Sequence, residues 1–595
     1  MAPPASDLVT ASLRRLNWLY MALGLVGLVV GLRLIDLQII QYSHYQALAT
    51  NEHQRKYEVP ADRGQIYLLD GDTKVPLALD ESLKLLYADP SLITKKAATA
   101  SALAAVTGDP ASQYLQDLNQ GGEYVVLKGR IDNTLAARIE NLHLYGIGMV
   151  SQDYRTYPEG SLASQVLGFV NDNGDGQYGI EGYLNNELKG TPGLLNAKID
   201  TNGVPIATAD NISRPAIPGD DIILTLDRNI QAEAEADIKA GVQNAKAASG
   251  SILVLDPTTG AVKAMANYPT YDPNNFNQVT NYQTFDNATV SDDFEPGSGF
   301  KLVTMATGLD QGKVTPTSTY NDTGCVTITG IQICNDEQTN GQPNNDGPNT
   351  TMTNVLRDSL NTGVIFVLKM LGGDPNNITF AGKQTLYNYI TNHFGFGRLT
   401  GIEQSDESSG SVNPPTSNDV NYANMAFGQG IDVTMLQMAD AIAAIANGGT
   451  LYKPYLVAAT VHPDGTQVNT KPVVVARHVV SKQTSADMAA MGQVVVQHGT
   501  GYKAYTPGYQ IAGKTGTAQI PNPNGAGYLP NVNIGSFIGY APATSPKFLV
   551  MVRINEPTNG VDAEDTTVPV FAQLVRWLFQ YYAIPPSGQQ SPASQ

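Results

Sequence analysis

From Leu16 to Leu32 the chain carries no charge and only one strongly polar side chain, Asn17, and its apolar character continues past Arg33 and Asp36 to Ile40. About 20 such residues in a helix cross a bilayer, because a helix satisfies its own backbone polar groups in hydrocarbon. Residues 16–40 are therefore expected to form one transmembrane helix, with residues 1–15 as a cytoplasmic tail. Arg14 and Arg15 directly precede the span, and the positive-inside rule then puts the rest of the chain outside the cytoplasm, on the outer side of the cell (inner or cytoplasmic) membrane. Ala47-Leu48-Ala49 has the small residues of a signal cleavage site, but it lies well beyond the apolar run and behind charged residues. An uncleaved single-pass anchor is the expectation.

The exterior part is long. A chain of 595 residues exceeds one ordinary domain and implies roughly two to four. Lys and Arg number 36 against 54 Asp and Glu, a net charge of −18, and no basic block follows the N-terminus, which argues against nucleic acid as a partner. Residues 41–220 open with a juxtamembrane stem, Tyr42 to Pro60, and continue through the extended segment Ala61–Gly71 into alanine-rich helical spacing between Pro90 and Leu142. No catalytic constellation stands out there, and a structural pedestal is expected. The proline and glycine residues between Pro215 and Asp220 mark a boundary. After it, Leu224–Asp227 reads as a strand, Arg228 onward as a helix, and Ser251–Asp256 with Ala261–Ala266 as a hairpin turning at Pro257–Gly260. Residues 221–582 are thus expected to form an α+β domain, an antiparallel sheet with helices on its faces. The end of the chain, 583–595, is rich in proline, serine and glutamine and is expected to be disordered.

The two cysteines, Cys325 and Cys334, lie symmetrically about Thr329-Gly330 in a segment of alternating β-branched residues. A hairpin turning there sets them opposite each other, and an exterior location permits oxidation. A disulfide is expected.

Candidate chemistry centres on Glu295-Pro296-Gly297-Ser298-Gly299-Phe300-Lys301. Pro296-Gly297 makes a turn, a helix-compatible run follows, and Lys301 returns to the face of Ser298 one turn on. A serine hydroxyl is a poor nucleophile without an adjacent base, and Ser298 is the only serine with a lysine three residues later. Between two helix-like stretches stands Ser359-Leu360-Asn361, which can offer a hydroxyl and a carboxamide to a cleft; a second such triplet, Ser411-Val412-Asn413, runs into Pro414-Pro415 and is set aside. The only Lys-Thr-Gly, Lys514-Thr515-Gly516-Thr517, lies in a strand-like run whose glycines signal close approach. These lysines make a locally basic island in an acidic chain, suited to an anionic group on a substrate. No cofactor is expected, and neither His-Glu-x-x-His nor clustered cysteines offer a metal site.

Ser-x-x-Lys, Ser-x-Asn and Lys-Thr-Gly in this order are the motif set of penicillin-binding proteins and class A β-lactamases. The chain resembles the class B penicillin-binding proteins, the FtsI-like monofunctional peptidoglycan D,D-transpeptidases, over nearly its whole exterior part. Arg63-Gly64, Ile66 and Gly179-Ile180-Glu181 are similar to the family's pedestal, or dimerisation-type, domain. Asp256-Pro257, Gly260, Ala264-Met265-Ala266, Tyr268-Pro269, Phe394–Gly397, Gly428-Gln429-Gly430, Val433-Thr434 and Ala446–Gly449 are similar to landmarks of its transpeptidase domain.

The resemblance implies that Ser298 attacks the penultimate D-alanine of a stem peptide, with Lys301 as base, Ser359 passing the proton to the leaving amine and Asn361 holding the donor amide. Lys514, Thr515, Gly516 and Thr517 receive the terminal carboxylate, with the N–H groups of Ser298 and Thr517 as oxyanion hole. It also implies covalent inhibition by β-lactam antibiotics and partnership with a SEDS-family glycan polymerase of the FtsW or RodA type and other cell-wall assembly proteins. Bringing a lysine from about 10.4 to about 7 costs roughly 4 kcal/mol, for which burial behind Phe300 and repulsion from Lys514 are the expected sources. Leu360 departs from the small or polar residue usual there and is expected to alter the cleft lining. Asn361-Thr362-Gly363 looks more like the division-type than the elongation-type continuation. The rival readings are a β-lactamase or β-lactam sensor on the same catalytic domain, against which the anchor and pedestal argue, and a non-catalytic scaffold, against which the intact motifs argue.

Overall fold

The computed structural model of the chain describes residues 5–46, 54–198, 212–336, 342–522, 527–560 and 562–587. They fall into two compact units, one drawn from Met1–Asp62 and Gly190–Pro218, the other from Arg63–Lys189 and Gly219–Gln595. In the first unit, helix α1 (Ala5–Ile35) runs into a π turn, Asp36–Ile40. Leu13–Ile40, 28 residues at mean hydropathy 2.0, is long and apolar enough to cross a membrane, and none of it is buried against the rest of the chain. A helix apolar on every side with no protein to cover it suits lipid, which fits a single-pass anchor. Arg14 and Arg15 stand at its start, and the two charges near its far end pair one turn apart, Arg33 donating to Asp36 at 2.6 Å, with Gln41 on the same carboxylate. The cleavage-like Ala47-Leu48-Ala49 lies outside the described residues. A three-stranded antiparallel sheet of Gln54–Val59, Gly193–Lys198 and Ile212–Arg214 completes this unit.

The second unit is built on two sheets. Strands β1 (Ile66–Asp70) and β2 (Thr73–Ala88) form a hairpin, and β2 is long enough to pair also with β3 (Val125–Ile131) and β4 (Ile147–Thr156). Helices Lys96–Thr107, Ala111–Asn119 and Asn133–Glu140 bury Leu103, Tyr114 and Ile139 with Leu86 and Ile131 of the strands. At the other end of the sheet β5 (Asp221–Asp227) lies parallel to β1 and antiparallel to Val457–Val461. The boundary read at 220/221 therefore falls within one continuous sheet. The glycine behind that reading has a packing reason, since a Cβ on Gly219 would stand 1.8 Å from the Leu188 carbonyl.

Beneath this sheet, Glu181, wholly buried, accepts from Arg63 Nε at 2.8 Å and Arg155 Nε at 2.7 Å, while Arg155 also pairs with Asp80 at 3.1 Å. The buried Glu181 is thus shared by two buried guanidiniums, and Asp80 pairs with Arg155 from the surface side, so each buried charge has a partner of opposite sign. This accounts for the Arg63 and Glu181 landmarks.

The second sheet is antiparallel throughout: β6 (Ser249–Leu255), β7 (Val262–Tyr268), β8 (Ala512–Pro521), β9 (Tyr528–Ala541) and β10 (Phe548–Asn555) stand in the order β7-β6-β10-β9-β8. Both faces of β6 and β10 read as continuous apolar runs because both are covered. One face packs on α2 (Arg228–Ala245) and the C-terminal helix Ala563–Tyr581. The other packs on α3 (Lys301–Asp310), α4 (Met435–Ala446) and α5 (Lys482–His498). Residues 583–587 of the expected tail are described, and Ile584 packs on the first of these cores; 588–595 lie outside the described residues.

Cys325 and Cys334 are register partners across the hairpin Cys325–Ile328/Ile331–Cys334 and are disulfide-bonded. The protein denatured without reductant is expected to take up no alkyl group from a thiol reagent, and to take up two after reduction, as read by intact mass. Full alkylation without reductant would contradict the bond.

Candidate active site

The nucleophile turn is shaped by backbone contact. Gly297 holds φ +54°, and a Cβ there would stand 2.4 Å from the Thr517 carbonyl; a Cβ on Gly428 would stand 2.1 Å from the Gly297 carbonyl. Only glycine permits both approaches. Gly297–Phe300 forms a 3-10 turn, and α3 begins at Lys301. Phe300, fully buried against Phe396, anchors the turn and carries Lys301 inside with it, at 0% exposure, while Ser298 faces a cleft.

Ser359 sits between helices Met352–Arg357 and Asn361–Leu371 with φ +58°, a conformation that costs a non-glycine residue on the order of 1–3 kcal/mol. Its reward is an inward carbonyl: Lys301 Nζ donates to Ser359 O at 2.5 Å and to Ser359 Oγ at 3.1 Å. Lys514 Nζ donates to the same Oγ at 3.0 Å. Leu360 does not line the cleft as expected; it is fully buried in the core beneath α3, because the turn at Ser359 sends consecutive side chains to opposite sides. Asn361 opens its helix on the cleft wall and donates from Nδ2 to the Cys334 carbonyl at 2.9 Å, which ties the second motif to the disulfide hairpin.

Lys514 projects from β8 into the interior, where Thr515 Oγ1 at 3.0 Å, the Thr515 carbonyl at 3.2 Å and Thr500 Oγ1 at 3.4 Å also accept from it. Thr515 is itself buried and hydrogen-bonded to Thr500 at 2.8 Å, so it stands behind the cleft. Gly516 lets the strand abut the nucleophile turn, since a Cβ there would meet Ser536 Oγ at 2.4 Å and the Pro296 carbonyl at 2.8 Å. Thr517 reaches the cleft, a cavity of about 350 Å³ that it shares with Gly297, Ser298 and Asn361. Asn424, Phe427 and Asp336 escaped the sequence reading, and Gln429 and the hairpin residues Ile331–Cys334, read there as a family landmark and a disulfide hairpin, prove to be cleft walls as well. Thr500 was missed too, having no motif around it. The rejected triplet has a structural task, Asn413 Nδ2 holding the Gly430 carbonyl at 2.6 Å.

Burial sets the electrostatics. Desolvation lowers Lys301 to about 8, and desolvation followed by the neighbouring Lys301 charge lowers Lys514 to about 7. Repulsion from Lys514 was expected to help lower Lys301; burial alone lowers it, and the like-charge effect falls on Lys514, whose amine converges with that of Lys301 on one hydroxyl oxygen. Two lysines so close titrate as a pair, and the pair as a whole sheds a proton near neutrality. A hydroxyl can accept from both and still donate its own hydrogen. Among the described residues no group of three His, Cys, Asp or Glu is placed to hold a metal ion.

A buried lysine pair meeting a strained serine, with a second serine facing the cleft, on an antiparallel sheet covered by helices, points to one class of protein. Family models agree: a penicillin binding protein transpeptidase domain matches residues 250–576, and a penicillin-binding protein dimerisation domain matches residues 58–224. The chain belongs to the class B penicillin-binding proteins. It is 30% identical to stage V sporulation protein D of Bacillus subtilis over 93% of this chain and 83% of that protein. It is likewise 30% identical to penicillin-binding protein PbpB of Mycobacterium tuberculosis, over 95% and 84%. The crystal structure of penicillin binding protein 3 from the latter organism, complexed with aztreonam, superposes with a TM-score of 0.68 at 27% identity, covering 89% of this chain and 98% of that one.

Proposed function

We propose that the protein is a peptidoglycan D,D-transpeptidase that cross-links stem peptides through an acyl-enzyme on Ser298, on the outer face of the cytoplasmic membrane. The observation that carries this reading is the convergence of Lys301 and Lys514 on Ser359 Oγ, at 3.1 and 3.0 Å, directly behind the Ser298 turn. In the reaction Lys301, in its neutral form, takes the Ser298 proton as Oγ attacks the penultimate D-alanine carbonyl. Both of its hydrogen bonds go to Ser359, so its amine turns toward Ser298 before attack. The N–H groups of Ser298 and Thr517 receive the oxyanion. Ser359 relays the proton to the leaving amine, the terminal D-alanine departs, and an amine from a neighbouring stem peptide resolves the ester. Asn361 has a second amide hydrogen for the donor peptide beyond the one held by Cys334. Lys514, Thr515, Gly516 and Thr517 form the carboxylate end of the site, Thr517 at its surface and the others as its backing.

Residues 41–220 serve as pedestal and 221–582 as the transpeptidase domain in this reading. Arg14 and Arg15 before the span support an extracytoplasmic site. Asn361-Thr362-Gly363 favours septal wall synthesis, with a SEDS-family glycan polymerase as membrane partner. Two measurements test these assignments. A fluorescent penicillin should label the protein for many minutes without turnover, whereas rapid release of hydrolysed drug would make it a β-lactamase. A fluorescent fusion should gather at midcell, and an even sidewall pattern would give it to elongation.

A further inference from the structure

Glu295, three residues before Ser298, is used by none of the steps above, yet it is 7% exposed. Its Oε1 accepts the Gly430 N–H at 2.7 Å and the Tyr528 hydroxyl at 3.3 Å, and its Oε2 is buried with no hydrogen-bond partner among the described residues. Desolvation, and then the nearby Asp432, raise its pKa. A carboxyl so placed is costly for the fold, and the cost has to be offset by what it joins.

Each donor belongs to a different wall of the cleft. Gly430 ends the loop that presents Gln429, a loop also held by Gly297 N–H on the Gly428 carbonyl at 3.0 Å and by Asn413. Tyr528 opens β9 and is the register partner of Pro521 on β8, the strand that carries Thr517. One carboxyl oxygen therefore connects the nucleophile turn, the Gln429 loop and the third-motif hairpin. We propose that Glu295 is a positioning residue for acyl transfer, holding these three walls at the separation that brings Ser298 Oγ onto the substrate carbonyl and the Thr517 N–H onto the developing oxyanion. The assignment rests on the acyl-enzyme reading above.

Its test separates positioning from folding. With the full chain in detergent, stopped-flow acylation by a fluorescent penicillin gives the dissociation constant of the first complex and the acylation rate constant independently. Misplacement of reacting groups by about 1 Å costs on the order of 10² in rate, so Glu295→Ala is expected to slow acylation at saturation at least about tenfold while changing the dissociation constant less than about threefold. Glu295→Gln keeps the acceptor oxygen and should acylate within about threefold of the parent. Tyr528→Phe removes one donor and should slow acylation modestly; added to Glu295→Ala it should cost nothing more, since both act through one bond. Glu295→Ala acylating at the parent rate, a loss confined to the first complex, or Glu295→Gln as slow as Glu295→Ala would each overturn the proposal. Loss of labelling in Ser298→Ala bears separately on the acyl-enzyme itself, so failure of either idea is seen apart from the other.

Discussion

Ser298→Ala is expected to take up no penicillin covalently. The side chain faces the cleft and packs in no core, so its removal should leave thermal stability within about 0.5 kcal/mol of the parent, as for ordinary exposed substitutions. The turn that carries it is held by Gly297, Phe300 and Gly428 rather than by the hydroxyl. Gel fluorescence after incubation with a labelled penicillin, beside a circular dichroism melt, checks both halves. Labelling that persists in the folded variant would remove Ser298 from the reaction and with it the acyl-enzyme on that residue.

The second large effect concerns the lysines. Replacing Lys301 by Met keeps its apolar stem and removes the base, and acylation should fall by about 10²–10⁴-fold, the usual worth of a positioned general base. In the parent the rate should climb with pH, because only a neutral amine can take the Ser298 proton. With Lys301 lowered to about 8 and Lys514 to about 7, the climb belongs between roughly pH 6 and 9, and below it the rate should drop about tenfold per pH unit. Lys514→Met removes a like charge beside Lys301, which favours the protonated form of Lys301, so the profile of that variant should move to higher pH. A pH-independent acylation rate over this window, or a shift to lower pH in Lys514→Met, would show that the lysine pair does not set the protonation state of the nucleophile.

The three motifs were legible because each is local. A turn into a helix brings Lys301 to the face of Ser298 within four residues, and a short chain segment between two helices exposes Asn361, whatever the rest of the fold does. The hairpin of Cys325 and Cys334 was legible for the same reason, being a two-residue turn with alternating flanks. Asn424 and Phe427 were not, nor was the part Ile331–Cys334 plays as a cleft wall, since they reach the cleft from distant segments, and Thr500, which meets Lys514 behind the cleft, carries no distinctive neighbours. Leu360 was misjudged because its direction depends on one backbone angle, φ +58° at Ser359, which no residue type announces. The stretch Pro215 to Asp220 was read as a boundary on composition, and one compact unit does end at Pro218, while the close packing of Gly219 and the pairing of β5 with β1 are long-range facts that composition does not carry.

By itself the sequence determined the long apolar helix, the residue types of the site and their chain order, because apolar length and short-range spacing act through neighbours only. What the tertiary structure decided is which groups meet: two lysines that lie far apart in the chain arrive at one serine oxygen, 3.1 and 3.0 Å away, in an interior that strips them of water. Desolvation and like-charge repulsion exist only once those side chains are enclosed together. The same amino acids spread along an unfolded chain would be ordinary charged lysines and an inert alcohol.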